Sequence, residues 1–380
     1  MSAEAEQVSS GLEGVLACES SITYLDGLQD PSVLEYRGYN IHDIAETARF
    51  EEIVYLLFEG RLPKAAELSA FDAELRGLRD VPSELIQLLE MVPTYAHPMA
   101  GLRTAISLLA CLDLDQEAAG RQANLQKAKR MVAQFPTVVA AMHRVGQGLD
   151  VLPPDPEQGH AANYLFMLTG KRHDEPNIRA LDTALNLYAE HELNASTFAL
   201  RVTAGTLSDI YSAVVSGISA LKGPLHGGAI DDAMRMIIEI GSVENVRPWV
   251  DRALAERRLL SGFGHRVYKT GDARAVHLRN MAHSLAESTG ERTWYEIAAA
   301  SEEYVRERKR LPANVDYYAA PVLYYLGFPL SLFTNFVASS RVAGWCAHAL
   351  EQYENNRLIR PRARYVGPRQ QPYAPVGSRH

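Results

Sequence analysis

Two stretches of this chain, 212–220 and 330–345, are apolar on almost every side when read at helical spacing. A helix with one apolar stripe can lie on a surface, whereas one that is apolar all round has to be covered from several directions. The chain must therefore build its core from layers of helices, and a simple bundle is excluded. Helical period also runs through 123–145, 161–168, 177–192, 197–220, 231–240, 247–259, 273–287, 293–310 and 330–353. Leu68, Phe71, Leu75 and Leu78 share a stripe after Pro63. Ser83 reads as the N-cap of a helix that Pro93 ends, and Pro98 opens the next. Only the amino-terminal region alternates: residues 22–25 and 33–37 flank a turn-rich 26–32 and predict one short β-hairpin. The expected fold is all-α and multilayered.

Composition narrows the function. The 380 residues suffice for two domains of ordinary size or one large one. A formal charge of −8 speaks against a broad nucleic-acid surface, although a local basic pocket is compatible with it. The basic groups are uneven: 357–380 holds six arginines and no acid. Cys18, Cys111 and Cys346 lie far apart among apolar neighbours, so each is expected to be a buried, inert thiol and no disulfide framework or structural zinc site is encoded. The first basic residue is Arg37 and no apolar run is long enough for a bilayer, which predicts a cytoplasmic chain with no membrane partner.

Glycine and proline interrupt the helices at 222–228, 261–266 and 311–316, and each interruption presents an ionisable residue on a turn. His226 lies among glycines ahead of a helix expected from about Ala229, where N–H groups and the helix dipole favour a neutral imidazole suited to a developing oxyanion. His265 follows Gly-Phe-Gly and precedes Arg266. Neither has the spacing of a metal ligand, and no metal is expected. Residue type alone leaves both histidines open to a catalytic or a structural role. Asp316, on a loop, reads either as an N-cap or as a general base whose pKa burial raises. Arg274 follows a turn. Arg341 sits inside an apolar helix, where a cation must either pair with a carboxylate of the chain or clamp a substrate carboxylate. Gly262-Phe263-Gly264 is only a fragment of a dinucleotide fingerprint, without the third glycine or a preceding strand.

These loops occur with further motifs in a fixed order. Gly11-Leu12-Glu13-Gly14-Val15, Tyr36-Arg37-Gly38-Tyr39-Asn40-Ile41, Gly60-Arg61-Leu62-Pro63 and Ala96-His97-Pro98-Met99 precede Glu190-His191-Glu192-Leu193-Asn194-Ala195-Ser196-Thr197. Residues 221–228 and 262–269, Asn314-Val315-Asp316, Arg360-Pro361 and Tyr365-Val366-Gly367 follow. Together they resemble the citrate synthase family nearly from end to end. The resemblance implies a helical homodimer with a large domain, 1–223 and 318–380, and a smaller mobile one, 224–317. It implies an acyltransferase that condenses acetyl-CoA with oxaloacetate and hydrolyses the product to citrate and CoA, with CoA as cosubstrate and no permanently bound cofactor. Asp316 would be the base, His226 the donor to the enolate oxygen and His265 the donor to the oxaloacetate carbonyl. His191, Arg274 and Arg341 would hold oxaloacetate, Arg360 would reach in from the other subunit, and Leu260, Ser261, Gly262, Phe263 and Gly264 would lie against CoA.

The chain departs from the family pattern in four places. Tyr188 stands where a histidine is usual, Ala273 replaces a proline and loosens the turn presenting Arg274, Ile230 replaces an asparagine, and Tyr317-Tyr318-Ala319-Ala320 replaces Phe-Tyr-Ser-Gly. The same residues would serve a 2-methylcitrate synthase using propionyl-CoA, since one methylene is worth only about 1–3 kcal/mol in a pocket. An alternative of another class is a weakly active paralogue that binds acyl-CoA or a dicarboxylate.

Overall fold

A computed structural model describes residues 8–265, 267–268 and 271–379. The chain opens on a small antiparallel sheet of β1 (Thr23–Asp26), β2 (Val33–Tyr36) and β3 (Tyr39–Asn40). The expected hairpin is β1–β2. The third strand was not foreseen: its turn places Arg37 and Gly38 at φ 51° and 84°, a hairpin conformation most often signalled by Asn-Gly. Leu34 and Tyr36 point inward from β2. The Tyr36 hydroxyl donates to the Glu190 carbonyl at 2.9 Å, which docks the sheet on the segment carrying His191.

Helices make up nearly all the remaining regular structure. In order they are α1 (Ile41–Ile44), α2 (Phe50–Glu59), α3 (Ala65–Gly77), α4 (Ser83–Met91), α5 (Pro98–Leu112), α6 (Arg121–Gly146), α7 (His160–Thr169) and α8 (Glu175–Tyr188). They continue as α9 (Ala195–Ala204), α10 (Ile210–Leu221), α11 (Ala229–Ile240), α12 (Val246–Ala255), α13 (Ala275–Thr289), α14 (Thr293–Lys309), α15 (Val315–Tyr325) and α16 (Phe333–Glu354). The protein is thus all-α apart from the small sheet. Of the 22 residues of α16, 19 are buried, because α2, α5, α6, α8, α9, α10 and α11 all pack against it. The all-round apolar pattern therefore marks the centre of the layers. A second group, α11 to α15, packs mainly on itself, with α13 and α11 against α15 and α12 against α14.

Several boundaries differ from the helical pattern. The run 197–220 is two helices: α9 ends at Ala204, and Asp209 caps α10 by accepting from the Ser212 N–H at 3.0 Å. The run 177–192 stops at Tyr188, and Glu192 has φ 52°. Ser83 is the first residue of α4, with Pro82 as its cap. The helix α2 falls where none was expected, and α15 begins one residue ahead of Asp316, where that residue read as an N-cap would have placed it later; Pro321 and the run of tyrosines and alanines disguise its period. Of the cysteines only Cys346 is buried, whereas Cys111 is exposed. Among the described residues no helix is long and apolar enough to cross a membrane.

Two features place the later elements. A chain of hydrogen bonds joins α1 to α13: His42 Nδ1 to His277 Nε2 at 2.8 Å, then His277 Nδ1 to Glu46 Oε1 at 2.6 Å. Gly344 lets α16 approach the 189–190 turn, where its N–H donates to the Ala189 carbonyl at 3.1 Å. A Cβ there would lie 2.4 Å from that carbonyl oxygen.

Candidate active site

The turn before α11 carries His226. The peptide N–H of Ser196 donates to His226 Nε2 at 3.3 Å, and the Ser196 hydroxyl lies 2.9 Å from the same nitrogen. A peptide N–H can only donate, so Nε2 is the acceptor and the ring proton sits on Nδ1. Ser196 is itself fixed, since Trp345 Nε1 donates to its hydroxyl oxygen at 3.2 Å. Burial, and then the Arg341 charge, depress the His226 pKa to about 4. The ring is neutral as the sequence suggested, held so by burial and the Arg341 charge.

His265 is oriented in the opposite sense. Its Nδ1 accepts the N–H groups of Val267 at 3.0 Å and Tyr268 at 3.1 Å, so its ring proton is on Nε2. The ring stands edge-on to His191, with centroids 5.4 Å apart. Arg266 lies outside the described residues. His191 is buried and within 3.2 Å of the Tyr268 hydroxyl through Nε2. Its pKa is driven well below the ordinary value by burial, then by Arg274.

The arginines differ in how they are held. Arg274 Nε and Nη2 donate to the two Asp272 oxygens at 2.9 and 2.8 Å, and its backbone N–H donates to Asp272 Oδ1 at 3.0 Å. Ala273 therefore does not leave the turn loose, because Asp272 braces it from both main chain and side chain. Asp272 Oδ2 also accepts the Val315 N–H at 2.9 Å, which connects this turn to the start of α15. Arg341 has no carboxylate within ion-pairing distance among the described residues; its Nε donates to the Tyr188 carbonyl at 2.7 Å. Burial lowers its pKa, and the nearby Glu190 charge partly restores it. Arg360 is exposed in the extended segment after α16 and bonds to none of the described residues.

Asp316 is neither on a loop nor an N-cap. Asn314 caps α15, accepting the Asp316 N–H at 3.0 Å, and Asp316 is the second residue of the helix. Burial raises its carboxyl pKa, opposed first by a hydrogen bond from Tyr188 and then by Arg274. The charges of Arg274 and Arg341 reach Asp316. The same two arginines, together with the His265 and His226 rings, lie close enough to act on His191. These six residues therefore share one neighbourhood.

The 260–264 loop is strapped beside the base. Gly264 N–H donates to the Pro312 carbonyl at 2.8 Å, and Asn314 N–H donates to the Gly262 carbonyl at 2.8 Å. The Asn314 side chain donates to the Gly264 carbonyl at 2.8 Å. Gly262 has φ +84°, and a Cβ there would lie 2.7 Å from the Tyr317 Cβ. Gly262→Ala is therefore expected to lower stability by at least about 2 kcal/mol, from left-handed strain plus the clash. Gly60→Ala, at φ +76° with nothing within 4 Å, should lose less. Thermal melts of both variants check this; equal losses would mean that the Tyr317 contact yields freely.

Sequence reasoning missed Ser196, Tyr268 and Asp272, whose effects act through other residues, and it read Tyr188 only as a missing histidine. Two neutral imidazole donors, a half-buried carboxylate and buried arginine cations suit an enzyme that moves a proton from carbon while holding anions. The fold and this chemistry define an all-α acid–base enzyme acting on anionic substrates. The family model described as "Citrate synthase, C-terminal domain" matches residues 11–362. Citrate synthase 2 of Bacillus subtilis is 47% identical over 97% of this chain and 98% of its own length. 2-Methylcitrate synthase 1 of Corynebacterium glutamicum is 38% identical over 98% of this chain and 99% of its own. The citrate synthase of Thermoplasma acidophilum, solved as a ternary complex with carboxymethyl coenzyme A and oxaloacetate, superposes with a TM-score of 0.92 at 34% identity, over 98% of this chain and 100% of that one. The chain belongs to the citrate synthase family.

Proposed function

We propose that this protein condenses acetyl-CoA with oxaloacetate and hydrolyses the resulting citryl-CoA to citrate and CoA. The observation that carries this reading is the pairing of a half-buried Asp316 carboxylate with two neutral histidines whose ring protons are on Nδ1 and Nε2 respectively. Asp316 takes a proton from the thioester methyl group. His226 Nδ1–H steadies the oxygen of the enolate, and the enolate carbon attacks the oxaloacetate carbonyl. His265 Nε2–H donates to that carbonyl oxygen as it becomes a hydroxyl. Water then cleaves the thioester and CoA leaves as the thiol. A thioester methyl is far less acidic than a carboxylic acid, so stabilising the enolate is the main task, and one well-placed donor supplies roughly 3–4 kcal/mol.

Arg274, Arg341 and His191 would seat the two oxaloacetate carboxylates, and 260–264 would lie against CoA. Residues 224–317 would act as the smaller domain that closes over the substrates and excludes water. The protein would work in the cytoplasm as a homodimer, with Arg360 crossing to the partner's site. The exposed Arg360 and the all-arginine charge of its tail support that placement.

Propionyl-CoA is the second candidate substrate, favoured by the 2-methylcitrate synthase relative. Thiol release measured with oxaloacetate plus either acyl-CoA separates the readings. A higher kcat/KM with acetyl-CoA is expected; a propionyl preference would overturn the citrate reading, and no turnover by folded protein would leave only a binding role. For the shared site, mixed Arg360→Ala and His226→Ala chains should regain part of the activity in re-formed heterodimers. Heterodimers that stay inactive would refute it.

A further inference from the structure

The two oxygens of Asp316 have different surroundings. Oδ1 accepts the Tyr188 hydroxyl at 2.7 Å, whereas Oδ2 accepts no hydrogen bond among the described residues. Tyr188 is buried at the end of α8, its ring edge-on to Phe336 with centroids 6.0 Å apart. Its carbonyl is also the acceptor for Arg341 Nε at 2.7 Å. One residue therefore touches both the carboxylate and the arginine of the site, the first through its side chain and the second through its main chain.

We propose that Tyr188 is a positioning residue of the reaction: its hydroxyl fixes Asp316 by Oδ1 and leaves Oδ2 to take the proton, while its carbonyl sets Arg341 against that base. The proposal rests on the reading of Asp316 as the base. Its physical logic has two parts. A carboxylate free to rotate presents its lone pairs in many directions, and a single short donor removes that freedom. A donor to the charged form also favours that form, which opposes the rise that burial imposes on the Asp316 pKa. Tyr188 is suited to donate because burial, and next the Asp316 charge, hold its own pKa well above the usual phenol value. It therefore keeps its proton throughout the working range.

The other groups facing Asp316 are Arg274 and Asp272 ahead of α13, and Arg341 from α16. The neighbouring helices α11 and α14 bring Asp231 and Glu302, which are engaged by Thr334 and Tyr318 respectively. His265 adjoins the 260–264 loop strapped beside α15. Among the described residues Tyr188 is the only one of these groups that hydrogen-bonds an Asp316 carboxylate oxygen.

The test is the pH dependence of kcat/KM for acetyl-CoA in Tyr188→Phe. Loss of a hydrogen bond to the charged carboxylate should move the acid limb up by about one pH unit. The kcat above that limb should fall about tenfold through lost orientation. The KM for oxaloacetate should change less than about twofold, because the carbonyl that holds Arg341 is kept. An unmoved acid limb would overturn the proposal, since a tyrosine that only fills space would not shift it. If Tyr188→Phe folds poorly, 3-fluorotyrosine at the same position preserves the shape and makes the phenol a stronger donor, so the limb should move down; no movement again overturns the role. Asp316→Asn, assayed alongside, separates the two failures. An active Asp316→Asn removes the base assignment itself, whereas an inactive one with an unmoved limb in the tyrosine variants removes only Tyr188.

Discussion

Asp316→Asn is expected to lower turnover by about 10²- to 10⁴-fold while leaving oxaloacetate affinity within about a factor of two. Asparagine has nearly the same shape and keeps an oxygen for the Tyr188 hydroxyl, so the start of α15 should not move. It has no basic oxygen to take a carbon-bound proton. Exchange of the thioester methyl protons with deuterated solvent should stop along with thiol release, which locates the loss at enolisation. Calorimetric titration with oxaloacetate measures the other half of the expectation. If that binding vanishes, Asp316 belongs to the dicarboxylate's seat and is not the base. Stability provides a separate check. Burial raises the carboxyl pKa in the folded protein, so the ionised form is disfavoured there and folding weakens as pH climbs from the unfolded carboxylate value through the folded one. Removing that charge should leave the melting temperature at neutral pH unchanged or higher.

The second large effect is expected at His226. His226→Ala should reduce kcat by about 10²- to 10³-fold, the cost of losing one donor to a developing oxyanion. Folding should survive it. The Ser196 N–H that His226 Nε2 accepts is shared with Asn194 Oδ1 at 3.1 Å, and Trp345 retains its contact with the Ser196 hydroxyl. The N–H is therefore not orphaned. Because the ring stays neutral down to about pH 4, the wild-type rate between pH 6 and 8 should show no inflection from His226. Methyl exchange is again the discriminating measurement. A variant that exchanges normally but fails to condense would place His226 on the oxaloacetate side of the site.

Much of this was legible because helical period and burial report the same physics. The apolar wrap of α16 announced a buried central helix, and the glycine- and proline-marked turns announced His226 and His265. What escaped notice was set by contacts between distant segments. Asp316 was read as a loop residue because Pro321 and the tyrosines of α15 carry no clear stripe, yet α13, α11 and α14 hold that helix in place. The break within 197–220 is marked by Gly205, Ser208 and Asp209, turn-forming residues that a single helical reading passed over because the stretches on both sides keep helical period. Tyr188 was visible only as a departure from a pattern. Its meaning depends on a hydroxyl that reaches a carboxylate 128 positions away in sequence. Asp272 lay two residues from Arg274 in plain view, but nothing in the spacing indicated that it also receives the Val315 N–H.

The bonds between 262–264 and 312–314 also bear on how the chain length can vary. The backbone leaves this clasp at His265 and returns to it at Leu311, so the clasp sets the distance between the loop and the base, while Asp272 and α13 on the path in between brace the same end of α15. Length can therefore drift in the α13–α14 turn, around Gly290, without re-aiming Asp316. A one-residue deletion within 261–264 or 312–315 has no such slack. It would slide one side of the clasp past the other and turn the carboxylate away, however well the rest of the helical shell still packed.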